Sequence, residues 1–122
     1  MDRSVRALRG ATTVDADTPE QVAERTCTLL SAMLARNGVD HEDLISIVFT
    51  TTPDVVSMFP ATAARTLGLG DVPLLCASEI ALAGSTPRCI RVLAHMTTER
   101  SRAELHHVYL EGAQGLRDDL PE

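Results

Sequence analysis

The chain has 122 residues, of which 44% are hydrophobic and 23% charged, and its formal net charge is −6. These values predict a single globular domain over residues 1–122, with a polar tail from about residue 117. The acidic balance argues against a nucleic-acid partner, and no apolar run reaches the roughly 20 residues of a membrane span, so no membrane partner is expected.

A strand and a long helix are predicted at the start of the chain. Residues 5–14 have the alternation of a strand, with an interruption at Gly10. Thr18 is typical of a helix N-cap, Pro19 of the first helical position, and Gln21 of a capping box. Apolar residues then recur at helical spacing until Gly38, which predicts one apolar helix face that covers a sheet.

Shorter elements follow in the rest of the chain. The run 44–52 is rich in β-branched residues and predicts a buried strand. A helix that begins with proline is predicted at 59–67, and a second capping box predicts a single helical turn at 101–105. Further strands are predicted at 72–78, 90–97 and 107–112.

Together these elements predict a mixed α/β (α+β) fold. About five strands form one mixed sheet, with one long covering helix and short helices. Because one long helix covers only one face of such a sheet, the other face needs a partner. Self-association is therefore expected, with sites at the boundaries between subunits.

The residue types exclude several kinds of chemistry. Cys27, Cys76 and Cys89 are odd in number and lack paired spacing, so reduced thiols are expected. With no secretory signal, the expected location is cytoplasmic. All eleven Lys and Arg positions hold arginine, which excludes Schiff-base and P-loop lysine chemistry. His106 and His107 would face opposite sides of a strand, so we expect no metal site.

Arginines on strands are the most informative chemistry. Arg9 lies on the first predicted strand and Arg91 on the fourth. A charge buried on a strand is costly unless an anion or a carboxylate neutralises it. Arg91 either pairs with Glu79 or faces a ligand, and the residues alone leave both interpretations open. Together with Tyr109 they suggest a pocket for a small anion with hydroxyl groups, because arginine binds carboxylates bidentately and glutamate accepts from hydroxyls.

The order of several sequence blocks carries a family resemblance. The blocks are Leu8-Arg9-Gly10-Ala11-Thr12-Thr13, Thr52-Pro53-Asp54, Phe59-Pro60-Ala61, Cys89-Ile90-Arg91-Val92 and His107-Val108-Tyr109-Leu110. With these gaps, nearly the whole chain resembles the Bacillus-type monofunctional chorismate mutases. The resemblance implies a homotrimer arranged as a pseudo-barrel, with active sites in the clefts between subunits. It also implies the Claisen rearrangement of chorismate to prephenate, a step of the shikimate pathway to aromatic amino acids that needs no cofactor.

The resemblance further implies roles for individual residues. Arg9 matches the arginine that grips a substrate carboxylate, and Tyr109 matches a second carboxylate partner. Arg91 matches the cation beside the ether oxygen, and Glu79 the acceptor for the ring hydroxyl. The substrate-binding walls match Leu75, Cys76, Ala77 and Ser78 on one strand, Phe59, Ala61 and Arg65 from the short helix of a neighbouring subunit, and Leu116 and Arg117 in a closing C-terminal segment.

Departures from the family pattern leave two other functions to consider. Thr62 stands where the family usually has lysine, Leu75 replaces a polar residue, and Gly84-Ser85 replaces a glycine pair. One alternative is a trimeric enzyme similar to enamine/imine deaminases, which lack the Arg-Gly-Ala-Thr-Thr opening. The other is a non-catalytic trimer that binds chorismate or prephenate.

Overall fold

The structure, a computed structural model, describes residues 2–116. Within this range the elements are β1 (Ser4–Thr13), α1 (Pro19–Arg36), β2 (Leu44–Thr51), α2 (Pro60–Thr66), β3 (Leu74–Ser78), β4 (Cys89–Thr98) and β5 (Val108–Tyr109). Short 3-10 turns lie at His41–Asp43, Arg102–Glu104 and Glu111–Ala113. The predicted tail from residue 117 lies outside the described residues.

The strands form one five-stranded sheet in the order β3-β2-β4-β1-β5. The central strand, β4, is antiparallel to both β1 and β2, whereas β3 is parallel to β2 and β5 is parallel to β1. The predicted mixed sheet with one long helix and short helices is therefore confirmed. None of the helices within residues 2–116 is long and apolar enough to cross a membrane.

The long helix begins as its local sequence requires. Thr18 Oγ1 accepts a hydrogen bond from the Gln21 N–H (3.2 Å), and Pro19 is the first helical residue. The Gln21 side chain does not complete the predicted capping box: its Oε1 accepts from the backbone N–H groups of Asp15 and Ala16. The reason is that the Thr18 N–H already donates to the Ala16 C=O (2.9 Å).

α1 packs against one face of the sheet, and Gly10 explains how closely. A Cβ at Gly10 would lie 2.5 Å from Met33 Sδ, so a larger residue would require the Met33 side chain to shift. The core between helix and sheet includes the buried residues Leu8, Leu29, Leu30, Met33, Ile47, Phe49, Val92, Ala94 and Met96. Because side chains alternate along a strand, Arg9 and Ala11 face away from α1.

Two predicted strands differ from those observed. The strand over 44–52 was expected to be buried throughout, but in β2 only Ile47 and Phe49 are buried, since α1 covers one face alone. The strand predicted at 107–112 is limited to Val108–Tyr109. It stops because Glu111 adopts a positive φ of 52°, which no strand accommodates.

The other predicted short elements are observed near their expected bounds. The capping box of the second half is present: the Ser101 N–H donates to Glu104 Oε1 (2.9 Å) and a single 3-10 turn follows. α2 begins at Pro60, and Gly68, with a φ of 86°, follows its end.

Candidate active site

A row of directly paired residues crosses the sheet at the level of Arg91. Arg91 of β4 is paired with Thr50 of β2 on one side and with Ala11 of β1 on the other. Thr50 is paired in turn with Ala77 of β3, and Ala11 with Tyr109 of β5. Since laterally paired residues point to the same face of a sheet, the guanidinium and the phenol share the face away from α1, separated by a small alanine.

This row underlies a depression of about 300 Å³, which we call the sheet-face pocket. Arg9 lies two residues before Ala11 on the same strand and therefore on the same face. The lining comprises Arg9, Gly10, Ala11, Val48, Thr50, Arg91, Val92, Leu93 and Tyr109. Strand pairing thus brings together three of the residues that the sequence singles out: two arginines and the tyrosine.

Glu79 approaches this region from the end of β3. Its backbone N–H donates to the Thr51 C=O (2.8 Å), and the Thr50 hydroxyl donates to its Oε2 (2.7 Å). The same Oε2 lies 3.2 Å from Arg91 Nε, with side-chain exposures of 34% for Arg91 and 21% for Glu79. The pairing of the two charges is therefore present, and it leaves both side chains accessible to a ligand.

Two buried polar atoms of the sheet-face pocket have no hydrogen-bond partner within residues 2–116. They are Arg91 Nε and Tyr109 Oη. The Arg91 Nε–H is within ion-pair distance of Glu79 but does not point at the carboxylate. A buried donor left unsatisfied costs about 1–3 kcal/mol. Because both atoms are shielded from solvent in the single chain, a molecule in the pocket reaches them only when the two side chains shift.

The backbone beside Arg9 is held where the sheet ladder ends. β5 pairs with β1 at Gly10 and Ala11, and one residue earlier the Arg9 N–H donates to His107 Nδ1 (3.0 Å). The backbone of the neighbouring His106 is bonded to the side chain of Asn37. Across the described chain, no group of three or more His, Cys, Asp or Glu residues is arranged to hold a metal ion.

Tyr109 is fixed by packing. It is 6% exposed and lies in a small buried cluster with Ala11, Cys89 and Ala113, against which Leu116 packs. Leu116 therefore reaches the cluster that forms one wall of the sheet-face pocket. Its predicted closing role remains a prediction, and Arg117 lies outside the described residues.

Cys89 lies behind the guanidinium, two residues before Arg91 on the same face of β4. Burial raises the pKa of the Cys89 thiol; the nearby Arg91 charge lowers it and Glu79 raises it. Because the net direction is upward, the thiol is neutral at pH 7 and fills space rather than acting as a nucleophile.

A second depression, of about 400 Å³, opens beside β3, and we call it the edge pocket. Cys76, Ala77 and Ser78 form one side of it, and Phe59, which is 70% exposed, forms part of the other. The structure therefore divides the predicted site. Cys76 was expected beside Glu79 and Arg91, but in this single chain it lines the edge pocket and packs against the main core.

Three further predicted wall residues line neither pocket. Ala61 lies on the buried side of α2 in the main core, Arg65 is exposed on the next turn of the helix, and Leu75 is exposed on β3. Their roles toward a substrate remain predictions, and they require surfaces from another subunit.

The sequence prediction missed Thr50 and Val48. Thr50 holds the Glu79 carboxylate, and both residues line the sheet-face pocket. A signal was present, because they alternate with the core residues Ile47 and Phe49 along β2. Reading this run as buried on both faces concealed that alternation.

Comparisons with known proteins agree on one family. The model of type I chorismate mutases matches residues 5–120. Chorismate mutase AroH of Thermus thermophilus is 49% identical over 117 residues, covering 95% of this chain and 96% of that protein. Chorismate mutase AroH of Bacillus subtilis is 38% identical, covering 95% and 92%. A solved chorismate mutase from Clostridium thermocellum superposes with a TM-score of 0.88 at 43% identity, over 89% of this chain and 97% of that one.

Proposed function

The chain belongs to the type I chorismate mutase family, and we propose that it rearranges chorismate to prephenate at a site completed between subunits of a homotrimer. Membership makes the protein an isomerase of aromatic biosynthesis. The proposal places the reaction in the cytoplasm and gives it no cofactor.

The observation that carries the proposed chemistry is that two donor side chains, Arg91 and Tyr109, meet on one pocket. Chorismate has two carboxylates, a ring hydroxyl and an ether oxygen, so it can satisfy both donors. Arg9, on the same face, supplies a second cation. A dicarboxylate thus matches the charge and the donor content of this pocket.

In the proposed reaction the ether C–O bond of chorismate breaks while a new C–C bond forms within the same molecule. No atom enters or leaves, so the protein needs no nucleophile and no obligatory proton transfer. Arg9 and Tyr109 hold the side-chain carboxylate so that the enolpyruvyl group folds over the ring. Arg91 stabilises the negative charge that develops on the ether oxygen.

Glu79 has two tasks in this proposal. Its Oε2 is engaged by the Thr50 hydroxyl and lies beside Arg91, which orients the guanidinium. Its Oε1 accepts from the ring hydroxyl of the substrate. The ion pair also limits the net charge that the empty pocket exposes. In addition, it holds the Arg91 guanidinium in position before substrate binds.

The proposed trimer is supported by a cluster of exposed apolar residues. Five large apolar residues are strongly exposed near the edge strand β3. Leu75 lies on this strand, Ile80 and Leu82 follow it in the chain, and Val56 and Phe59 line the edge pocket. A surface of this kind is typical of an interface. Since Phe59 and Arg65 line no part of the sheet-face pocket, the proposal needs a neighbouring subunit to bring the two sets together.

Product identity tests the reaction. Purified protein is incubated with chorismate and the products are separated; prephenate is expected, at a rate proportional to enzyme. Binding of chorismate without prephenate, even at high enzyme concentration, would overturn catalysis and leave the non-catalytic binding trimer.

Subunit complementation tests the shared site. Arg91→Ala and Arg65→Ala are each expected to impair activity alone. After the two variants are mixed, unfolded and refolded together, roughly a quarter of the sites should combine an intact sheet face with an intact α2 if each site joins two subunits. No recovery of activity, with the mixed protein assembled as a trimer by light scattering, would contradict a site between subunits.

A further inference from the structure

We propose that Arg25 of α1 is a positioning residue that sets the C-terminal wall of the substrate pocket. The proposal rests on the function proposed above, because it assigns Tyr109 and the segment that follows it to substrate binding. Arg25 forms its hydrogen bonds and ion pairs with Thr13, Asp15 and Glu111. None of these three residues lines the sheet-face pocket. Arg25 acts through the turn that follows Tyr109.

Arg25 has an unusual place on its helix. It lies three residues after Val22 and four before Leu29, both fully buried, so it is on the side of α1 that faces the sheet. Its side chain is only 15% exposed. A charge in that position is costly unless it is answered by acceptors.

The acceptors come from two separate segments. Arg25 Nη1 donates to the backbone C=O of Thr13 at the end of β1 (2.5 Å), and Nη2 donates to the Asp15 carboxylate (3.0 Å). The Nη1 atom is also 3.8 Å from Glu111 Oε1. One guanidinium therefore joins α1, the end of β1 and the turn Glu111–Ala113.

The same turn is held by a second contact from β1. The Thr13 hydroxyl accepts from the Gly112 N–H (2.9 Å), and a Cβ at Gly112 would lie 2.8 Å from that oxygen. Glu111 is strained, with a φ of 52°, a conformation that costs a non-glycine residue about 1 kcal/mol or more. Contacts from Arg25 and Thr13 offset this strain and hold the turn in one conformation.

The turn determines where the pocket wall lies. Immediately before it, Tyr109 packs with Ala11, and the Leu110 N–H donates to the Ala11 C=O (2.9 Å). Immediately after it, the Leu116 N–H donates to the Ala113 C=O (3.1 Å), and Leu116 packs on the same cluster. If the turn relaxes, the tyrosine and Leu116 move relative to the arginines, which remain fixed on the central strands.

The test uses Arg25→Met, which keeps the length and apolar stem of the side chain but removes the donors. We expect KM for chorismate to rise about 10-fold while kcat changes less than about twofold, because Arg91 and Glu79 are positioned by strand pairing and by the Thr50 hydroxyl, not by Arg25. Arg36→Met, an exposed arginine at the end of the same helix, is the matched control and should change neither constant. Arg25→Lys should recover part of the loss, since a point charge reaches fewer of the acceptors.

Thr13→Val provides a second variant that does not depend on the helix. It removes the acceptor of the Gly112 N–H with little change in shape, and it should raise KM in the same direction. Equal changes in kcat and KM for Arg25→Met and Arg36→Met would overturn the proposal. A lower unfolding temperature with KM unchanged would also overturn it, because that result describes a purely structural residue.

Amide hydrogen exchange separates this proposal from the proposed function. Without any substrate, Arg25→Met should speed exchange at Gly112, Ala113 and Leu116 by about 10-fold or more, and Arg36→Met should not. Should wild-type protein form no prephenate, the function fails while faster exchange would still establish the contact network. Unchanged exchange in an active enzyme would refute the positioning role alone.

Discussion

The sheet-face pocket and the edge pocket differ in how complete they are. The sheet-face pocket is built on four paired strands, and one of its lining residues, Arg91, forms an ion pair with Glu79. It also includes a buried tyrosine whose hydroxyl has no partner within residues 2–116. The edge pocket lies beside the last strand of the sheet and is lined mainly by small and apolar residues, with Phe59 projecting into solvent. One pocket offers specific polar contacts, and the other offers apolar surface.

The difference teaches that charge placement and enclosure come from different parts of the fold. Strand pairing positions Arg9, Arg91 and Tyr109 within a single subunit, because their register is fixed by the hydrogen-bond ladder. Tyr109 is buried, but within the described chain Arg9 and Arg91 remain without full cover. In the proposed trimer a neighbouring edge region supplies that cover, excludes water and strengthens the electrostatic contacts.

The largest effect is expected from the sheet-face pocket. Arg91→Ala should reduce kcat by about 100- to 1000-fold, as for loss of one preorganised donor to a developing charge. Circular dichroism and light scattering should show an unchanged fold and assembly. An uncharged isostere such as citrulline should fail as well, because the positive charge is what acts. A variant that kept most of its rate would refute the assignment of Arg91.

A substitution in the edge pocket should act through assembly. Phe59→Ala removes a side chain that is exposed in one subunit, so a solitary chain should lose almost no stability. In the proposed trimer we expect a loss of about 2 kcal/mol or more of association free energy, with a thermal midpoint that depends more strongly on protein concentration, and lower activity. Ile45→Ala, at the start of β2, serves as the control. No change in midpoint or activity would mean that the edge pocket takes no part in the site.

Tyr109→Phe should have opposite effects on stability and binding. Because the hydroxyl is buried without a partner among the described residues, its removal should leave the empty protein equally stable or more stable by about 1 kcal/mol. Loss of one hydrogen bond to substrate should raise KM about 2- to 10-fold. Thermal unfolding without ligand and steady-state kinetics measure the two quantities. A destabilised protein with normal KM would show that the hydroxyl serves the fold instead.

The smallest effect concerns Asp54, which connects the segment after β2 with the start of β4. Asp54 accepts from the Thr52 hydroxyl and from the Arg88 N–H (2.9 Å), next to the left-handed Arg88 (φ 47°) at the start of β4. The Thr52 hydrogen bond, followed by the Arg88 N–H, lowers the pKa of Asp54 below its ordinary value of 3.8. Because the ionised form is favoured on folding, this stabilisation is present at neutral pH and disappears as pH falls below about 4.

Asp54→Asn should therefore lower the free energy of unfolding at pH 7 by less than about 1 kcal/mol, since the carboxylate is exposed and screened. The difference from wild type should be smaller at pH 3 than at pH 7, because part of the wild-type carboxylate is then protonated. Urea unfolding at both pH values measures it. A difference that stayed constant between pH 7 and pH 3 would mean that ionisation of Asp54 contributes nothing to folding.

Much of the fold followed from local patterns. Thr18 and Pro19 start α1 because capping depends on the immediate backbone, and the central strand follows from its run of β-branched and apolar residues. Local reasoning failed where a distant contact decided the outcome. Gln21 turned towards the preceding loop because the Thr18 N–H was already bonded, and the last strand stopped at the positive φ of Glu111, which Arg25 and Thr13 hold in place.

The candidate site shows the same division. The ordered sequence blocks indicated the family, since they depend only on residue types and their spacing. The family in turn indicated the site residues Arg9, Glu79, Arg91 and Tyr109. The sequence alone did not reveal that Thr50 orients Glu79, since that contact depends on the parallel pairing of β2 with β3.

By itself, the sequence determined the helix starts, the strand-forming runs and the family, since each depends on residue identity over short or ordered stretches. Only the tertiary structure decided which face of the sheet receives α1, and hence that Arg9, Arg91 and Tyr109 share the uncovered face. It also placed Cys76 on the edge pocket instead of beside Arg91. The physical reason is that register and packing arise from contacts between residues far apart in the chain, each worth little alone and decisive together.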